Sequence, residues 1–61
     1  MNINDTDAFM VYRTDENGTS AFHPILGEDV KNMLRGFTYN SKKKIWTNES
    51  NTIEYQLEKI G

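Results

Sequence analysis

A chain of 61 residues with no cysteine, a single histidine and a net charge of −2 rules out several function classes at once. Disulfide scaffolds, cysteine-type zinc sites and thiol catalysis need cysteines, and a histidine-rich metal site needs more than His23. The acidic balance departs from the cationic excess of a generic DNA-binding protein, and no apolar run reaches the length of a membrane span or a signal-peptide core.

So short a chain makes one domain at most. Residues 1–7, polar and carrying Asp5 and Asp7, read as a flexible N-terminal tail, and 8–61 as a single small α+β domain. A domain of this size buries only about 60% of the surface its unfolded chain exposes. With disulfides and a metal set aside, self-association is the remaining source of stability, so a homodimer is expected. Seven aromatics (one Trp, three Tyr, three Phe) and 36% hydrophobic residues argue for a folded chain rather than a disordered one. The expected location is the cytoplasm, and no cofactor is implied.

Ala8-Phe9-Met10-Val11-Tyr12-Arg13-Thr14 is a strand by residue type. The loop Asp15-Glu16-Asn17-Gly18 follows, and Asn-Gly is a strong hairpin signal because both residues tolerate positive φ. Thr19 to Ile25 reads as the returning strand, stopped near Pro24, which has no N–H for a ladder. A two-residue turn at Asn17-Gly18 would set Tyr12 opposite His23, Met10 opposite Ile25 and Phe9 opposite Leu26. One face would then carry Phe9, Val11, Phe22 and Leu26, and the other Met10, Tyr12, His23 and Ile25. Both are substantially apolar, unlike a sheet with one wet side. One can be covered by the chain's own helix; the second needs another cover.

That helix opens at Gly27-Glu28-Asp29, with two acids where the helix dipole favours negative charge. Val30, Met33, Leu34 and Phe37 follow at the i, i+3, i+4, i+7 spacing of a buried stripe. Gly36 sits where a C′ glycine closes a helix, directly after Arg35. About two turns do not persist alone, so the helix must dock on the sheet. Next, Phe37-Thr38-Tyr39 and Lys44-Ile45-Trp46-Thr47 flank a turn from Asn40 to Lys43. A second turn, Asn48 to Asn51, leads into Thr52–Ile60, where Ile53, Tyr55 and Leu57 alternate with Glu54, Gln56 and Glu58. The expected architecture is an antiparallel sheet with one short helix packed on it, in the order ββαβββ.

Chemistry is sparse. His23 is of the residue type that titrates near neutrality, but a catalytic site needs a nucleophile, a base and an orienting group converging in a pocket. One histidine beside a proline does not provide that, so the chain is not expected to be an enzyme. The acids Asp5, Asp7, Asp15, Glu16, Glu28 and Asp29 cluster in the N-terminal half without the spacing of a calcium loop. They read as solvated charges, or as an acidic patch facing a basic partner.

The segment from Gly36 to Trp46 carries the sharpest ambiguity. Lys42, Lys43 and Lys44 could contact phosphates while Tyr39 and Trp46 stack bases, each stacked base contributing roughly 1–3 kcal/mol. Equally, Phe37 extends the helix stripe into the core, Tyr39 shares its parity, and three lysines simply solubilise a hairpin turn. Three lysines without an arginine would give only weak, salt-sensitive binding. Val30 through Trp46 loosely resembles small domains that accompany DNA-processing proteins of plasmids and phages, and is similar to the HARP domain of annealing helicases. The matching positions are Leu34, Gly36, Phe37, Tyr39, Asn40, Lys44 and Trp46; the acidic first half and very short helix depart from that pattern.

The leading expectation is a small non-enzymatic interaction module. In size and acidity it resembles the cysteine-free inhibitors that phages and mobile elements encode to block a host enzyme or an anti-phage defence component. Met10, Tyr12, His23 and Ile25 would bind the host protein, with aromatic and Met anchors inside a polar rim. The alternative is a nucleic-acid-binding accessory protein using Tyr39, Lys42, Lys43, Lys44 and Trp46.

Overall fold

A computed structural model describes residues 2–60; Met1 of the expected tail and Gly61 of the expected domain lie outside them. The chain runs β1 (Ala8–Asp15), β2 (Gly18–Ala21), β3 (Ile25–Leu26), α1 (Gly27–Met33), β4 (Thr38–Asn40), β5 (Ile45–Thr47) and β6 (Glu54–Ile60). This is a small α+β fold, a six-stranded antiparallel sheet carrying one short helix. The spatial order is β2-β1-β6-β5-β4, with β3 pairing β1 on the same side as β2. The order is βββαβββ rather than ββαβββ because the strand expected over 19–25 is interrupted.

The interruption and the turn before it correct the expected register. Asp15 pairs with Gly18 and Tyr12 with Ala21, so the tight turn is Glu16-Asn17, not Asn17-Gly18. Only Gly18 takes a positive φ (115°) there, whereas a type I′ turn needs it at both central residues. The Asn17 amide instead donates to Asp15 Oδ1 at 2.8 Å, an Asx turn that fixes the turn one residue earlier. The Phe22 amide still donates to the Val11 carbonyl at 2.9 Å, but Phe9 then pairs with Ile25. From Phe22 to Ile25 the edge advances three residues while β1 advances two. That extra residue is a β-bulge, placed where Pro24 has no N–H to offer.

Cross-strand partners share a face, so the pairings sort the side chains. On one face Phe9, Val11 and Arg13 align with Lys59, Leu57 and Tyr55 of β6, Tyr55 with Trp46, and Trp46 with Tyr39. Phe22 and Ile25 complete that face. It carries α1: Phe9, Val11, Val30 and Leu34 form the buried core, with Ile3, Phe22, Ile25, Met33, Phe37, Trp46, Tyr55 and Leu57 packed around it. Each fully buried side chain contributes about 1.5–3 kcal/mol.

Helix α1 lacks a side-chain cap at Leu26. Its first amides are satisfied from outside, Gly27 donating to the Asp7 carbonyl at 2.8 Å and Glu28 to the Asp5 carbonyl at 3.3 Å. The segment expected as a tail therefore forms a turn over the helix start, with Ile3 against the core and Lys31 Nζ 2.8 Å from Asp5 Oδ1. A Cβ on Gly27 would collide with the Asn4 carbonyl, which explains a glycine at a helix start. At the other end the helix stops at Met33, and the positive φ falls on Gly36 (80°), two residues past the capping Leu34.

Two polar loops complete the sheet. Asn40 Oδ1 accepts the Lys42 and Lys43 amides at 3.0 and 3.1 Å, while Lys44 turns left-handed (φ 57°) to bring the chain back. Between β5 and β6, Asn48 Oδ1 accepts the Thr52 and Ile53 amides at 2.9 and 3.0 Å. Its Nδ2 donates to Thr52 Oγ1 and Ser50 Oγ at 2.8 and 3.2 Å.

Candidate functional site

The face opposite α1 is left without a helix over it. Alternation puts Ala8, Met10, Tyr12 and Thr14 of β1 there, with their β6 partners Ile60, Glu58, Gln56 and Glu54. Leu26, Ala21 and Thr19 extend it on one side, and Thr47 and Ile45 on the other. Met10 and Tyr12 are half-buried by their neighbours yet belong to no part of the core cluster. Leu26 and Ile60 are 47% and 40% exposed, large apolar side chains facing outward at one end of this face. The carboxylates here are Glu54 and Glu58, and no strand lysine or arginine shares the face. The surface is an apolar band flanked by negative charge.

Of the four residues expected to bind a partner, the register keeps two together. Met10 and Tyr12 lie on the open face. Ile25 does not: paired with Phe9, it packs on the core side, and Leu26 takes the outward place assigned to it. His23 sits exposed in the bulge between Phe22 and Pro24, on neither strand ladder. Leu26 and Ile60 were missed. The strict alternation of Thr52–Ile60 puts Ile60 in step with Glu54, Gln56 and Glu58, a signal that was available. The position of Leu26 depends on the bulge, which alternation cannot show.

The basic-aromatic hairpin divides in the same way. Trp46 pairs with Tyr39, their ring centroids 5.0 Å apart at 46°, and packs with Tyr55 against the core. Phe37 lies 5.1 Å from Tyr55, and Phe22 lies 6.5 Å from it on the other side. These five rings finish the α1 side where the helix runs out. Trp46 Nε1 is buried there without a hydrogen-bond partner. Lys42, Lys43 and Lys44 stand exposed at the hairpin tip.

A third surface lies between the β1–β2 turn and the loop before β6, a groove of ≈ 730 Å³ lined mainly by polar residues from Arg13 to Asn17 and Asn51 to Glu54. Arg13 Nη2 lies 3.5 Å from Asp15 Oδ2, and Arg13 Nε is buried without a partner. Among the described residues no group of three or more His, Cys, Asp or Glu is placed to hold a metal ion.

What the fold and these surfaces define is a small α+β domain with one finished and one unfinished sheet face. No helix among the described residues is long and apolar enough to cross a membrane. No protein-family model, curated protein or solved structure matches the chain. The resemblance carried by Val30 through Trp46 therefore adds nothing to the functional argument.

Proposed function

We propose that this chain is a non-enzymatic interaction module that binds a partner protein through the open sheet face and blocks the surface it covers. The observation that carries the reading is the band of Met10, Tyr12, Leu26 and Ile60 on a face with no helix over it. Glu54 and Glu58 beside that band favour a partner whose apolar patch is rimmed by lysine or arginine. The comparison with inhibitors that phages and mobile elements direct against host enzymes or defence components rests on size and acidity, and is associational.

The test is capture of the tagged chain in its native host, with Met10→Glu alongside. A partner held by the wild type and lost with Met10→Glu, at unchanged folded-state circular dichroism, supports the reading. Equal capture by both proteins overturns it.

A second reading is contact with nucleic acid through the β4–β5 hairpin, favoured by the exposure of Lys42, Lys43 and Lys44 beside Tyr39. Against it, the Tyr39 and Trp46 rings already pack against each other, tilted at 46°. Titration of single-stranded DNA or RNA should quench Trp46 fluorescence in a steeply salt-dependent way if this reading holds. A flat signal at low salt retires it.

A further inference from the structure

Two free edges of the sheet, those of β4 and β2, are guarded very differently. The β4 edge is three residues long and runs directly into the Lys42–Lys44 turn, so an approaching strand meets clustered positive charge. The opposite edge is β2, Gly18-Thr19-Ser20-Ala21, exposed along its whole length. It has no charged residue and no proline within the strand.

The pairing with β1 fixes which backbone groups β2 offers. Phe22 donates inward to Val11, so in an antiparallel ladder the backbone groups of Gly18 and Ser20 also point inward. Those of Thr19 and Ala21 point outward, away from the sheet.

We infer that this edge pairs with the same edge of a second copy, antiparallel and centred on Ser20, to form a homodimer with one continuous sheet. Three features of the sequence suit β2 to itself. Thr19 falls opposite Ala21 of the second copy and Ala21 opposite its Thr19, giving about four backbone hydrogen bonds between small, uncharged residues. Gly18, which has no side chain, falls opposite Phe22 of the second copy on the α1 side, where the ring can cover the vacant backbone. The acidic turn at Glu16-Asn17 comes beside His23 and Pro24 of the second copy, so no like charges face each other along the ladder. The two-fold axis stands perpendicular to the sheet, which leaves both open faces on the same side and doubles the surface available to a partner. The dimer does not depend on that surface binding anything.

An interface this short falls below the size of a stable protein–protein contact, so association is expected between about 10 µM and 1 mM. Sedimentation equilibrium of the full chain over that range should show the average mass climbing towards twice the monomer mass. Amide hydrogen exchange of Thr19 and Ala21 should slow several-fold over the same range. Ala21→Pro removes an outward donor without touching the β1 ladder and should keep the chain monomeric. Ala21→Lys, which retains the N–H but brings charge to the edge, should weaken association at least tenfold, and Met10→Glu should leave it unchanged. A monomeric wild type at about 1 mM overturns the inference. So does a dimer that survives both Ala21 variants, or one abolished by Met10→Glu, which would place the contact on the open face.

Discussion

The two faces of the sheet are made from alternate residues of the same strands, yet only one is finished. On β1, Phe9 and Val11 are each 1% exposed, while Met10 and Tyr12, one position away, lie on the open side outside the core. Hydrophobicity does not separate these two pairs. What separates them is the side of the sheet on which α1 and the N-terminal turn pack. Between β3 and β4 the sequence supplies a seven-residue helix, about 10 Å long. That is well short of the roughly 27 Å spanned by an eight-residue strand. The aromatic row from Phe22 to Tyr39 extends the cover on the α1 side, and among the described residues no helix packs on the other. The domain closes one face with its own helix and leaves the other without one.

The largest effect should come from the finished face. Phe9→Ala leaves a cavity under α1 and should cost about 3–5 kcal/mol, a large share of the stability of any small domain. Met10→Ala, its neighbour on the open face, should cost less than about 1 kcal/mol. Urea unfolding followed by Trp46 fluorescence measures both. Equal losses would mean that the open face is covered in solution and would break the comparison. Gly27→Ala comes next, at about 1–3 kcal/mol, because the new methyl group meets the Asn4 carbonyl. It should also strip exchange protection from the Gly27 and Glu28 amides, which the Asp7 and Asp5 carbonyls hold. Unchanged protection would show that the N-terminal turn is not what caps the helix.

These two sites also mark how much the sequence disclosed. The α+β class and the helix stripe of Val30, Met33, Leu34 and Phe37 follow from periodicity, which reports burial directly. The β1–β2 register did not follow, because Asn-Gly suits two placements: a type I′ turn centred on it, or a turn one residue earlier with glycine alone at positive φ. The Asp15 side chain, accepting the Asn17 amide, selects the second, and nothing in the apolar pattern reports that choice. The bulge at Phe22–Pro24 then moved Ile25 inward and Leu26 outward, so a face drawn from alternation keeps Met10 and Tyr12 together but not Ile25. The N-terminal turn was illegible for another reason. It caps α1 through main-chain carbonyls, and those have no residue signature. Asn48, with four side-chain hydrogen bonds, is likewise indistinguishable by type from its loop neighbours.

Smaller effects locate the boundary between the two faces. Trp46 sits near the limit of the cover, half-buried, with Nε1 unpaired. Trp46→Phe loses packing against Tyr39 and Tyr55 but also removes a buried donor whose desolvation costs about 1–3 kcal/mol. The two terms oppose each other, so the net change should stay within about 1 kcal/mol. Urea unfolding monitored by far-ultraviolet circular dichroism tests this. A loss of about 3 kcal/mol or more would mean that the indole N–H has a partner, such as an ordered water, and that the aromatic row is as closed as the core.

The smallest effect is expected at Leu26, 47% exposed at the rim of the open face. Leu26→Thr keeps a β-compatible side chain and should shift stability by no more than about 0.5 kcal/mol. Measured at two protein concentrations a hundredfold apart, that shift should be the same. If copies associated through the open face, Leu26 would be buried at the higher concentration only, and the penalty would grow there. If association runs through the β2 edge instead, Leu26 stays at the rim in monomer and dimer alike. A concentration-independent shift is therefore the result that keeps the open face free for a different partner.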